Sequence, residues 1–341
     1  MGSNAPARGA PRRIGACGHR IGEPVRVLAS VSSNEESGVS MSGKRKRWTV
    51  ALMALAACVT AMAVASPAFA KEPTGKYSIF KQCPRFTTGV NLCLYSQTTS
   101  GEVKLNKQTV PITKTITLQG GIALNEETFE ESFVGALNGE TLVKTGENVP
   151  GGLSGLVNCT EITGSGILEF LAREACKLVF ENKTTGVEAV TELAKPASEI
   201  QINTFNLESA EGTALTLPIK VKLENTLLGS ECYIGSSSKP IYLTLTTGTT
   251  KPAEPNKPIK GKIGKISAED EFNFIELKEN TLVSNEFSAP EATGCGGAFS
   301  ALIDPLVNSK IGLPSPDGYN TAIQNNTIRE ATTEGVIESE K

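Results

Sequence analysis

The sequence predicts a mainly β chain: antiparallel sheets in a sandwich or barrel-like arrangement, one amphipathic covering helix at about 166–181, and disulfide staples. Three observations carry this. Apolar residues recur at every second position through most of the chain, the period of a half-buried strand. One segment stands out by recurring at helical spacing instead. Six cysteines follow a stretch that has the form of an export signal, the usual setting of a disulfide framework.

Residues 1–40 have no hydrophobic period, and a second methionine, Met41, stands where an export signal normally begins. They read as a leader, either from a start placed too early or disordered. Residues 41–70 have the three parts of a secretory signal. Lys44, Arg45, Lys46 and Arg47 are the charged part, Thr49 to Ala65 the apolar part, and Ala68-Phe69-Ala70 the small-residue cleavage site. Cleavage after Ala70 leaves Lys71 as the first mature residue. Two other readings share this segment. The apolar run approaches the ~17–25 residues that span a bilayer, but Pro67 and the small residues after it favour cleavage. Leu55-Ala56-Ala57-Cys58 resembles a bacterial lipobox, whose cysteine is acylated, although Val59 to Ala70 stay apolar where lipoproteins turn polar. The expected location is extracellular or in the cell envelope, with a lipid anchor at Cys58 as the alternative.

From Lys71 on, the pattern divides into an N-terminal β subdomain, 71–158, and a helix plus C-terminal β subdomain, 159–341. Over Thr109 to Gln119, Val110, Ile112, Ile116 and Leu118 interleave with threonines, a strand rich in β-branched residues. Gly120-Gly121 is expected to turn the chain into Ile122 to Leu124. Asn138-Gly139, between Phe133-Val134 and Leu142-Val143, signals a hairpin because both residues tolerate positive φ. Gly166 to Glu181 gathers Ile167, Leu168, Leu171, Ala175, Leu178 and Val179 at helical spacing, with Arg173, Glu174 and Lys177 on the other side. Gly186 to Leu193 and Glu199 to Leu207 read as strands.

Ala214 to Glu224 alternates without a fault. Leu215, Leu217, Ile219, Val221 and Leu223 share one face, and Thr216, Pro218, Lys220 and Lys222 the other. Pro218 cannot donate to a ladder, so an edge or a bulge is expected there. Ile241, Leu243 and Leu245 repeat the pattern. Thr247 to Lys262, rich in Pro and Lys, reads as a long exposed hairpin loop. Ile259 to Ile266, Glu271 to Leu277 and Tyr319 to Ile328 are further strands, and Ala298 to Val307 a short helix limited by Pro305.

Composition narrows the chemistry. Residues 1–70 hold nine of the 33 Lys and Arg but three of the 36 Asp and Glu. The remainder therefore carries 24 basic against 33 acidic side chains, a net charge near −9. An acidic surface argues against nucleic acid as a partner, since phosphate binding needs a basic patch. The one His and the one Trp, His19 and Trp48, also fall before Lys71. A mature chain without histidine has no Ser-His-Asp triad, no Cys-His pair and no His-bearing zinc site. No metal or cofactor motif is expected.

Two enzymatic readings remain to be weighed. Ser78-Ile79-Phe80-Lys81 and Lys144-Thr145-Gly146 match the S-x-x-K and K-T-G elements of penicillin-binding enzymes. Cys83-Pro84 follows the first at once, the second comes too early, and the S-x-N element is missing, so coincidence is the better account. Paired carboxylates would suffice for glycoside hydrolysis, and Glu126, Glu127, Glu130 and Glu131 are the densest acidic cluster. A solvated turn is the simpler reading of that cluster.

Leu223-Glu224-Asn225, the run Gly229 to Ser236 and Leu243 to Gly248 resemble a group of secreted proteins of unknown function from high-GC Gram-positive soil bacteria. Gly294-Cys295-Gly296-Gly297 and Leu313-Pro314-Ser315 belong to the same pattern. The resemblance implies export and agrees with the placement of the cysteines. It implies no catalytic residue.

The expected function is a non-catalytic extracellular one: envelope structure, adhesion, or binding of an unidentified partner or ligand. A carboxylate-dependent glycosidase and a β-barrel pore in an outer lipid layer are the alternatives, and no stable membrane insertion is expected after cleavage. Six cysteines allow fifteen pairings. Proximity selects Cys83–Cys93 around Thr87-Thr88-Gly89, Cys159–Cys176 to fasten the helix, and hence Cys232–Cys295 across the C-terminal β-elements.

Overall fold

The computed structural model describes residues 71–125, 127–180 and 186–341. The segments expected to be a leader and an export signal, residues 1–70 with Cys58 and Ala70, lie outside the described residues. The strands are β1 (Val90–Leu105), β2 (Gln108–Ile112), β3 (Ile116–Leu124), β4 (Glu131–Gly135), β5 (Gly146–Asn148), β6 (Glu188–Leu193) and β7 (Gln201–Ile202), followed by β8 (Leu215–Glu224), β9 (Tyr233–Ile234), β10 (Ile241–Leu245), β11 (Lys265–Glu269), β12 (Phe274–Ser284), β13 (Ala292–Thr293) and β14 (Asn320–Thr332). Between them run α1 (Gly152–Leu156), α2 (Ile167–Phe180), α3 (Thr204–Ser209) and α4 (Ser300–Ile311), and α5 (Thr333–Glu338) closes the chain.

The strands form two antiparallel sheets. In the first the order is β11-β12-β14-β1-β3-β4, with β2 beside the far half of β1. In the second it is β13-β9-β8-β6-β5, with β7 and β10 also paired to β8. Neither sheet closes on itself among the described residues, so the fold is a sandwich of open sheets and not a barrel. The inner faces meet in one core that includes Leu94, Ile122, Leu217, Leu223, Leu243 and Ile328. The boundary expected at 158/159 does not separate the sheets: β5 precedes it yet joins the second sheet, and β11, β12 and β14 follow it yet join the first. The described residues from Lys71 to Lys341 form one compact unit.

Several elements differ from the sequence reading for identifiable reasons. Gly120-Gly121 is not a turn but the middle of β3, paired with β1 on one side and β4 on the other. A Cβ on Gly120 would lie 2.5 Å from the Val134 carbonyl oxygen, and one on Gly121 2.7 Å from Val90 Cγ1, so the glycines permit close approach. The strand expected over Thr109 to Gln119 breaks at Thr113-Lys114-Thr115 into β2 and β3. Asn138-Gly139 does turn the chain, but its two arms do not pair with each other. Both lie along β3, β4 against Gly120–Leu124 and Leu142 against Leu118, so the turn is an excursion in an edge strand. Glu199 to Leu207 is a two-residue strand followed by α3, because the Asn203 side chain accepts from Asn206 N–H at 2.7 Å and caps a helix.

The Pro/Lys-rich loop is a hairpin closed by Thr249 against Lys260, but its far end is tied down. Asn256 donates to the Asn320 carbonyl at 2.8 Å, and Asn285 to the Lys257 carbonyl at 2.8 Å. α4 runs through Pro305 to Ile311, since Ile303, Leu306, Val307 and Ile311 are all buried by it. That burial outweighs the ~3 kcal/mol an interior proline costs a helix. α2 forms where expected, but it does not lay its apolar stripe on the sheets. Cys176 is buried and Ala172 packs against the core, while Ile167, Leu168, Phe170, Leu171 and Leu178 are 57–80% exposed. The Cys159–Cys176 bond decides which face meets the body, and Arg173 fixes it by donating to the carbonyls of Ile162 and Gly164.

Candidate functional site: an apolar cavity between the sheets

Close packing fails in the core between the two sheets. Between the sheets lies a cavity of about 100 Å³ whose wall is drawn from both inner faces. β8 supplies Leu217, Ile219, Val221 and Leu223, the side that alternation assigned to the interior, and β10 adds Ile241 and Leu243. Opposite them stand Val103 and Leu105 of β1, Val110 and Ile112 of β2, and Ile116 of β3. Eight of the 22 wall residues, Val110, Ile116, Ala189 and Val221 among them, are only half-buried.

Glu147 of β5 sets the shape of one margin. Its Oε2 accepts from Thr113 N–H at 3.0 Å and Thr113 Oγ1–H at 2.7 Å, and its Oε1 from Lys114 N–H at 2.8 Å. This carboxylate of the second sheet therefore holds the break between β2 and β3 of the first. The Glu of Gly146-Glu147-Asn148 follows a K-T-G element, but nothing in the linear sequence marks it as a clasp. Gln324 of β14 and Thr191 of β6 bring the remaining polar groups to the wall with Gln108.

The cysteines pair as Cys83–Cys93, Cys159–Cys176 and Cys232–Cys295. Two of these bonds border the cavity's core. Cys159 is buried three residues beyond the wall residue Leu156, and Cys232 two residues before the wall residue Ile234. α4 steadies the third pair, Asp304 accepting from the N–H groups of Gly294 and Cys295 at 3.1 and 2.7 Å. Cys83–Cys93 lies on the outer face of the first sheet, in a satellite cluster with Tyr77, Phe80 and Phe274. Lys71 is tied into the same region: its carbonyl accepts from Arg85, whose Nε pairs with Glu340 at 2.5 Å.

The other candidate groups do not assemble into a reaction site. Ser78 borders a polar groove on the first sheet with Lys76, Glu276 and Arg329, whereas Lys144 pairs with Glu192 of the second sheet at 2.9 Å. Glu126 lies outside the described residues, and Glu127 and Glu130 are exposed on a turn. Glu131 is separate from them, accepting from Thr204 N–H at 2.7 Å and from its hydroxyl at 2.5 Å. It shares the α3 end of the sandwich with two acids that sequence reading missed. Glu330, fully buried on β14, has an oxygen without a partner, and burial followed by the nearby Glu208 and Glu131 pushes its carboxyl up to about 8. Glu208 is likewise raised, by burial and then Glu131. An acid at an inward position of a strand is visible in sequence only once the register of β14 is known.

Among the described residues no group of His, Cys, Asp and Glu is placed to hold a metal ion, and no helix is long and apolar enough to cross a membrane. Comparison with protein-family models, with curated proteins and with solved structures finds no match.

Proposed function

We propose that the protein is an exported, disulfide-stapled binding protein whose inter-sheet cavity takes up a small apolar molecule. The cavity is the observation that carries this reading. An apolar void costs roughly 24 cal/mol per Å³, so about 100 Å³ left empty forfeits about 2 kcal/mol, a cost that a bound molecule removes. Export is supported by the signal-like segment 41–70, by three disulfides and by a fold in which Lys71 already takes part. The resemblance to secreted soil-bacterial proteins agrees with it. The glycosidase alternative finds little support, since Glu147 is the one acid of the cavity wall and its oxygens are engaged. The pore alternative would need a closed barrel, and the sheets are open.

Calorimetric titration of the purified protein with pentanol, an aliphatic molecule of about the cavity's size, tests the reading. The expected result is saturable, one-to-one binding that Val221→Phe abolishes by filling the cavity. The outward-facing Lys222→Ala is expected to leave it unchanged. Filling should also raise the unfolding midpoint, by about 1–2 kcal/mol on the same cavity scale, which separates lost binding from lost folding. Binding that survives the filled cavity would overturn the reading.

A further inference from the structure

Resting on that binding reading, we infer that the cavity selects an uncharged aliphatic molecule bearing one hydrogen-bonding group, such as an alcohol or ester, over a carboxylate. Of the 22 wall residues, 17 are aliphatic and Phe287 alone is aromatic. A flat ring system would find almost no partner for stacking, whereas a flexible alkyl chain meets alkyl contacts on all sides.

The polar part of the wall decides the head group. Among the described residues it consists of Gln108, Glu147, Thr191 and Gln324, with no Lys, Arg or His. An anion entering there would lose its hydration without gaining a counter-charge, a cost of many kcal/mol that ordinarily forbids burial. It would also face the Glu147 carboxylate, whose two oxygens are already occupied by Thr113 and Lys114. Gln108 Nε2 lies within 3.5 Å of the Thr109 and Pro150 carbonyls. Thr191 and Gln324 are different: among the described residues their side chains take part in no hydrogen bond, and they stand on opposite sheets. A carboxamide and a hydroxyl each donate and accept. Either can pair with a neutral oxygen function, and a wall group that pairs with the ligand discriminates against one lacking it.

Calorimetric titration with pentanol, methyl butanoate, pentanoate and pentane at pH 8 provides the test. Pentanol and the methyl ester should bind at concentrations at least about tenfold below pentanoate. Gln324→Leu should weaken pentanol about fivefold relative to pentane. Pentanoate binding as well as pentanol, or an unchanged preference for pentanol over pentane in Gln324→Leu, would overturn the inference while the cavity reading stands. Failure of pentane and pentanol alike to bind saturably would overturn both.

Discussion

Glu330 stands on the inner face of β14 with 3% of its surface exposed, opposite Leu94 of β1 and Ile275 of β12. The charged groups that act on it are Glu208 of α3 and Glu131 of β4, both acidic, so nothing offsets its desolvation. Its carboxyl titrates near 8 instead of the ordinary 4.5. Below pH 4.5 both folded and unfolded chains hold the proton. Between 4.5 and 8 the unfolded chain releases it and the folded chain keeps it. Stability therefore falls as pH rises through that window, by up to about 1.4 kcal/mol per pH unit, and levels off above it. Glu330→Gln should remove this slope: its denaturation midpoint should gain on the parent protein by more than about 1 kcal/mol between pH 5 and pH 8. Parallel pH profiles for the two proteins would show that Glu330 is not a buried neutral acid. The same residue scale explains what sequence could not supply. Gly120 and Gly121 looked like a turn because the permissive residue is the same whether the chain bends or merely passes close to a neighbour.

At the scale of elements, alternation was legible wherever one face of a strand is buried. β8 places Leu215, Leu217 and Leu223 in the core, and β10 does the same with Ile241, Leu243 and Leu245. β1 is the longest strand, and its sequence gave no such signal. Its first half packs Leu92 and Leu94 into the main core and Cys93 and Tyr95 into the satellite cluster, so both faces are apolar and the period vanishes. α2 had the opposite problem. Its period was clear, but periodicity does not say which face is fastened, and the disulfide at Cys176 turns the apolar stripe outward. Exchanging Cys159 and Cys176 for serine should therefore release α2 without dissolving the sandwich. Amide exchange over Ile167–Leu178 should approach that of an unprotected chain while β8 and β14 stay protected. The loss of overall stability should not exceed about 3 kcal/mol, the entropic scale of a loop this short. Loss of protection throughout the strands would place α2 among the elements the sandwich depends on.

For the whole molecule, the fold is closed by connections of very different sequence range, of which the Glu147 clasp crosses between the sheets. The N-terminal segment meets the C-terminal one through Arg85–Glu340 and through Thr74 donating to the Ser339 carbonyl at 2.6 Å. Cys232–Cys295 spans 63 residues and the clasp of Glu147 about half that. These contacts leave the cavity as the place where the sheets face each other without filling the space between them. Its aliphatic wall could be read from the alternating strands, but the void itself depends on how far apart two sheets are held, which no local pattern encodes. The most direct test of the central claim is diffraction from crystals soaked with iodopropane. The account predicts an anomalous iodine peak between the sheets, in contact with side chains among Leu217, Ile219, Val221 and Val110. Iodine found only on the outer surface, with the inter-sheet space closed by side chains, would contradict it.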